Sequence, residues 1–104
     1  MMKLTALYTP PADPAAFEQH YTSVHMPLVD ALPGLIRQET ARTVSSADGG
    51  AAAFYRQADL YFADLEALGA GFASEQGKQT AADAAALAKR TGCVLTMMIS
   101  ELDG

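Results

Sequence analysis

The chain of 104 residues has little charge and little cysteine, and both shortages narrow what it can be. Only 18% of its residues are charged, whereas 50% are hydrophobic. This balance is typical of a compact globular protein. So few charged side chains remain that we expect part of the outside of the fold to face something other than water. At this length we expect one domain spanning residues 1–104.

Basic residues are scarce as well. The net charge is −5, and the seven Lys and Arg side chains are scattered along the chain. A protein that binds nucleic acid needs a basic stripe to neutralise phosphates, so we expect no nucleic acid and no anionic membrane as partner. No apolar run approaches membrane-spanning length. We therefore expect a cytoplasmic protein.

Potential metal ligands are few and badly spaced. The single cysteine, Cys93, cannot form a disulfide within the chain, which fits a reducing compartment, and it is expected to pack as a small apolar residue. His20 and His25 are five residues apart, so one helix face cannot present both. The "GAG" at 69–71 lacks the strand and spacing of a dinucleotide-binding loop. We predict no metal site and no cofactor.

What the sequence does contain is a regular order of strand and helix signals. Residues 2–9 predict a strand, because Pro10 and Pro11 end it. Asp13 and Pro14 then favour a helix start. We expect this helix to end or kink near His25, because Pro27 lacks an N–H. Its predicted core-facing stripe has four residues at helical spacing, namely Phe17, Tyr21, Val24 and Leu28.

Further strands are predicted over residues 35–44, 53–63 and 93–102, and helices over 65–72 and from Ser74 to about Gly92. Thr80 and Asp83 in the last helix resemble an internal capping box. The order strand, helix, strand, strand, helix, strand is that of a ferredoxin-like βαββαβ fold of class α+β. It has a four-stranded antiparallel sheet with its helices on one face.

Such a sheet leaves its second face without helices, and we expect Leu, Met and Tyr side chains on it. A standard interface buries roughly 800 Å² per partner. At about 25 cal/mol per Å² over its apolar half, the gross gain is on the order of 10 kcal/mol per protomer. We therefore predict a homodimer whose two sheets face each other around a pocket.

Several motifs along the chain together resemble the EthD family of dimeric α+β barrel proteins. They are the strand-ending Tyr8, Pro11 and Asp13, the helical Phe17, the His-x-Pro-Leu of residues 25–28, the Pro-Gly-Leu of residues 33–35, and the segment from Phe62 to Leu68. The resemblance implies a ferredoxin-like fold that dimerises into a barrel. The family is named after a protein linked to degradation of ethyl tert-butyl ether. Its members are often labelled oxidoreductases, and similar barrels include lactone isomerases and cofactor-independent monooxygenases.

Five residues are candidates for the site. His25 is the candidate catalytic acid or base, since an imidazole exchanges protons near neutral pH; the alternative is that it caps the end of the helix. Tyr8 and Tyr21 are predicted to bind the ligand, the alternative for Tyr8 being edge packing. Asp59 and Tyr61 share a strand face and are predicted to line the same pocket, unless Asp59 forms a salt bridge or meets solvent.

Two function hypotheses follow from these candidates. The first is an enzyme, an oxidoreductase or an isomerase with acid–base chemistry, acting on a small apolar or aromatic oxygenated metabolite. The second is a non-catalytic protein that binds a hydrophobic ligand or supports a partner oxygenase.

Overall fold

The computed structural model describes all residues 1–104. Four strands, β1 to β4, span Met2–Tyr8, Arg37–Arg42, Arg56–Phe62 and Leu95–Glu101. Four α-helices, α1 to α4, span Pro14–His20, Met26–Asp30, Leu65–Ala73 and Glu75–Thr91, and a π-helical turn, Tyr21–His25, joins α1 to α2. The strands form one antiparallel sheet in the order β2-β3-β1-β4. This confirms the ferredoxin-like α+β fold. No helix is long and apolar enough to cross a membrane.

The strand register decides which side chains face the helices. Leu4 lies opposite Leu60 on one neighbouring strand and opposite Ile99 on the other, so all three share a face. The helices cover this face over β1 and β3, where Leu4 and Leu60 are buried, while Ile99 on the edge strand β4 stays 54% exposed. Phe17 of α1 and Leu87 of α4 are fully buried on the helix side of the core.

The helix ends follow the local sequence signals. The side chains of Asp13, Asp64 and Ser74 accept hydrogen bonds from backbone N–H groups at the starts of α1, α3 and α4. Gly92 ends α4 in the left-handed conformation, with φ of 78°. The internal capping box predicted at Thr80 is wrong, because α4 runs through it unbroken. Its hydroxyl instead donates to backbone carbonyls, including that of Leu28 in α2.

Because of the π turn, the residues that face the core differ from the predicted stripe. Pro27 causes no break, because the chain continues as α2 after the turn. One turn of π-helix takes more residues than an α turn, so residues four apart stay in line across it. The buried positions are therefore Phe17, Tyr21, His25 and Val29, whereas Val24, predicted to face the core, is 42% exposed. The extra residue turns His25 from the border of the stripe into the interior.

The packing of α3 against α4 depends on a residue without a side chain. A Cβ added to Gly77 would lie 2.2 Å from the carbonyl oxygen of Gly71. Only glycine therefore allows the start of α4 to approach α3 this closely.

The second face of the sheet is more polar than the sequence predicted. Leu7, Met98 and Tyr61 are on it, as expected, but so are two ion pairs. Lys3 Nζ lies 3.3 Å from Asp59 Oδ1, and Arg37 and Glu39 of β2 pair at 2.9 Å. The expected Leu, Met and Tyr side chains are thus present, but the face also carries charged side chains that pair with each other within the chain. One group of exposed apolar side chains lies on the edge strand β4 and the residue before it, at Val94, Met97, Met98 and Ile99.

Candidate functional site

A chain of four hydrogen-bonded side chains runs from the surface to the core. Arg90 Nη2 lies 2.8 Å from His20 Nδ1. His20 Nε2 lies 2.9 Å from Asp83 Oδ1, and His25 Nδ1 lies 2.9 Å from Asp83 Oδ2. Both histidines come from the α1–π segment, and both other residues come from α4. The carboxylate of Asp83 is therefore shared by the two imidazoles.

The hydrogen-bond partners fix the tautomer of each ring. Arg90 can only donate, so His20 Nδ1 accepts and its proton is on Nε2, which donates to Asp83. Asp83 can only accept when ionised, so the proton of neutral His25 is on Nδ1. His25 Nε2 then carries the free lone pair, and it has no partner within the protein. This is the arrangement of an oriented base with a carboxylate behind it.

Burial and the carboxylate of Asp83 shift the pKa of His25 in opposite directions. The residue is 6% exposed. Desolvation lowers its pKa below 6.5, whereas the hydrogen bond from Nδ1 to Asp83 and the charge of Asp83 raise it. The net direction is downward, so the ring is neutral at pH 7 and its Nε2 can accept a proton.

His25 lines a small apolar cavity between the sheet and the helices, of about 30 Å³. The walls are mainly short or aliphatic side chains, including Leu4, Ala6, Ala58, Leu60, Val29 and Ala84. Room for about two water molecules is available. Phe72 and Met97 also line the cavity, and Met97 is half exposed at the edge strand. A larger ligand fits only if one of these two side chains moves.

Tyr8 and Tyr21 lie beside His25, and both hydroxyls are buried without a partner. Tyr8 lines the cavity, whereas Tyr21 stacks on the His25 ring with 5.6 Å between centroids. Burial raises the pKa of Tyr21 to about 12 and that of Tyr8 further. Both phenols stay protonated at neutral pH, so each presents an unused O–H donor.

Asp59 and Tyr61 lie on the opposite face of the sheet and do not line this cavity. Alternate residues of a strand point to opposite faces, so Leu60 reaches the cavity while its two neighbours cannot. The Tyr61 hydroxyl donates to Glu39 Oε1 at 2.7 Å, and Asp59 pairs with Lys3. The structure thus brings together Tyr8, Tyr21 and His25 and leaves Asp59 and Tyr61 apart from them.

Asp83 was not predicted as a partner of either histidine. Its position carried a signal, because Thr80, Ala84 and Leu87 on the same helix are buried. Asp83 comes three residues after Thr80 and four before Leu87, so its carboxylate lies beside the buried face of α4. A carboxylate at such a position needs a buried partner. Even so, no three His, Cys, Asp or Glu side chains are grouped closely enough to hold a metal ion.

The chain resembles known proteins in sequence and in fold. The family model of the EthD domain matches residues 9–91. A protein of Rhodococcus erythropolis, described as an uncharacterized 11.0 kDa protein in the thcB-thcC intergenic region, is 42% identical over 85 residues, which is 82% of each chain.

Solved structures show the same fold. An ethyl tert-butyl ether degradation (EthD) family protein of Bacillus halodurans has 38% identity and a TM-score of 0.89, with 98% of each chain covered. SnoaB of Streptomyces nogalater, a cofactor-independent oxygenase, has 16% identity and a TM-score of 0.71, with 99% of this chain and 93% of that chain covered. At this identity the second likeness concerns the fold alone.

Proposed function

Because the chain belongs to the EthD domain family, we propose that it is an enzyme that removes a proton next to a carbonyl group, with His25 as the base. The observation that supports this most is the hydrogen bond from His25 Nδ1 to Asp83. It leaves the lone pair on Nε2 of a ring that lines an apolar cavity.

The carboxylate stabilises the ring in the charged state that the reaction would create. When Nε2 takes a proton, the imidazolium lies 2.9 Å from Asp83 Oδ2. An ion pair of this kind in a partly buried site favours proton transfer to the ring. Without it, the burial of His25 would make the imidazolium costly.

Tyr8 supplies the second group that the reaction needs. The proton leaves the carbon for His25 Nε2, and the electron pair of the C–H bond moves onto the carbonyl oxygen as an enolate. The buried O–H of Tyr8, which lacks a protein acceptor, donates to that oxygen. In a saturated substrate the imidazolium returns the proton to the same carbon. In an unsaturated ketone or lactone it can return the proton to the γ-carbon, which moves the C=C bond and completes an isomerisation without any cofactor.

The walls of the cavity indicate the class of substrate. They are aliphatic and aromatic, apart from His25, Tyr8 and Thr80. A small ketone or lactone with an apolar body matches such walls, because its carbonyl oxygen can accept from Tyr8. Such a molecule is larger than two waters, so Phe72 or Met97 moves aside when it binds. A charged or sugar-like molecule would lose its hydration there without compensation.

Deuterium exchange tests the proposal without knowledge of the natural substrate. Small ketones and lactones, such as cyclopentanone and γ-butyrolactone, are incubated with the protein in D₂O, and loss of their α-protons is followed by ¹H NMR. We expect exchange that saturates with ligand and rises with pH through the pKa of His25. His25→Gln should slow it by about 10²–10⁴-fold, whereas Tyr61→Phe, on the other face of the sheet, should not. Equal exchange by wild type and His25→Gln would refute the assignment.

The same experiment separates the enzyme from a carrier. A binding or accessory protein would bind these ligands saturably but would cause no exchange above the buffer rate. Its affinity for them would also stay the same from pH 5 to pH 9. That outcome would leave the cavity in place and remove the base from the function.

We also propose that the protein is a homodimer. The support is the exposed apolar side chains of β4, which an unpaired edge strand presents to other chains. Light scattering at micromolar concentration should give twice the mass of 10.9 kDa. Ile99→Lys should shift the mass towards the monomer, and a monomeric wild type would contradict the proposal.

A further inference from the structure

A second cavity lies on the outer surface of the helix layer, at the other end of the hydrogen-bonded chain. It is an open groove of about 360 Å³ between the α1–π segment and α4. Its lining residues are Ala16, Gln19, His20, Ser23, Val24 and Arg90. The volume is in the range of pockets that hold small molecules, and it is much larger than the inner cavity.

No carboxylate contacts Arg90 in this groove directly, and Asp83 lies behind the ring of His20. Arg37 and Arg56 each pair with a carboxylate at 2.9 Å. Arg90 makes no ion pair, and its one side-chain hydrogen bond is to a neutral ring nitrogen of His20. A guanidinium has five N–H donors in a planar fork, so most of those of Arg90 are available to a ligand.

The rest of the groove combines polar and apolar contacts. Gln19 offers an amide, while Ala16 and Val24 give an apolar wall, with Val24 42% exposed. A planar carboxylate matches the fork of Arg90, and a short apolar group matches the wall. We infer that this groove is a second ligand site, which binds a small organic carboxylate by Arg90.

Such a ligand would act on the inner site through side chains already in contact. A carboxylate on Arg90 competes with His20 Nδ1 for its donor, so the His20 ring loses its present partner. Asp83 holds His20 and His25 on its two oxygens. A change at His20 therefore reaches His25 through one shared carboxylate. The binding site itself does not depend on the proposed proton transfer.

The two histidines of the chain provide a direct readout. Imidazole ring resonances are recorded in ¹H–¹⁵N spectra while benzoate is added at constant ionic strength, and benzyl alcohol serves as the uncharged analogue. We expect benzoate to shift the His20 signals saturably and the His25 signals with the same apparent Kd. The alcohol should shift neither.

Two variants on α4 distinguish the groove from general charge attraction. Arg90→Gln should weaken benzoate binding by about ten- to a hundredfold, the loss expected for a charge-assisted hydrogen bond. Lys89→Gln removes the same charge from the neighbouring exposed position, outside the groove, and should bind as the wild type does. Unchanged binding by Arg90→Gln, or an equal loss in Lys89→Gln, would overturn the site.

Asp83→Asn tests the connection separately. With the shared carboxylate gone, benzoate should still move the His20 signals while those of His25 stay in place. A His25 response that persists in this variant would refute transmission through Asp83. Neither result bears on the deuterium exchange experiment, so the two proposals can fail independently.

Discussion

Replacement of Asp83 by Asn removes the carboxylate that holds both histidines while keeping the shape of the side chain. The amide has one acceptor oxygen and one donor NH₂, so one of the two positions that accept in the carboxylate becomes a donor. If the NH₂ faces His25, that ring must move its proton to Nε2 to accept from it. The lone pair would then be on the wrong nitrogen for a base in the cavity.

The magnitude follows from the bonds that are lost. Wild-type Asp83 accepts from His20 and His25 at 2.9 Å each. Hydrogen bonds to a charged group contribute about 1.5–3 kcal/mol each, and the amide regains about 1 kcal/mol from one neutral bond. Release of a partly buried charge offsets part of the loss, so we expect a net destabilisation of about 2 kcal/mol. In catalysis, the wrong tautomer of a triad histidine costs about 10⁴ in turnover.

Urea unfolding gives the free energy of unfolding, and ¹⁵N shifts of the ring nitrogens give the tautomer. Asp103→Asn, at an exposed position near the C-terminus without hydrogen bonds, is the matched control and should change stability by less than about 0.5 kcal/mol. The reasoning would be refuted if Asp83→Asn unfolded at the same urea concentration as wild type and kept the proton of His25 on Nδ1.

Three further predictions concern stability. Because burial lowers the pKa of His25 in the fold, the unfolded chain binds more protons below about pH 6.5. The stability that neutral His25 contributes is therefore complete above that pH and is lost as the pH falls. Urea midpoints measured against pH should lose this dependence in His25→Gln, and an unchanged dependence would contradict the prediction. Tyr8→Phe should be neutral or stabilise the fold by up to about 1 kcal/mol, because the hydroxyl of Tyr8 is buried without a partner. Tyr61→Phe, the control, removes a hydroxyl bonded to Glu39 and should not stabilise the fold. A loss of stability above about 1 kcal/mol in Tyr8→Phe would show that its hydroxyl has a partner. Gly77→Ala should destabilise the fold by about 2 kcal/mol or more in thermal unfolding, because its Cβ would meet backbone at 2.2 Å. Gly69→Ala, the control, has open space around it and should be neutral or stabilising. Equal melting temperatures of the two variants would contradict the close contact between α3 and α4.

The order of elements could be predicted because its signals are local. Asp13 and Ser74 at helix starts, and Gly92 at a helix end, act through backbone groups within a few residues of themselves. The alternation in β3 likewise depends only on the chain itself. The predicted fold class was therefore correct.

The candidate site could be predicted only in part. His25, Tyr8 and Tyr21 lie together, but Asp59 and Tyr61 were assigned to the same pocket on the assumption that it lay between two sheets. The cavity that His25 lines lies between the sheet and the helices of one chain, and a pocket between two sheets stays a prediction. Which face of the sheet bounds a cavity depends on how far the helices lie from it, and no short stretch of sequence encodes that distance.

The sequence by itself determined the βαββαβ order and the starts of α1, α3 and α4, because each rests on interactions between near neighbours. Only the tertiary structure decided that one π turn directs His25 inward, and that Asp83, 58 residues further along the chain, accepts a hydrogen bond from its Nδ1–H. The physical reason is that a hydrogen bond is effective only over about 3 Å, and packing of α4 against the π turn is what brings these two side chains within that distance.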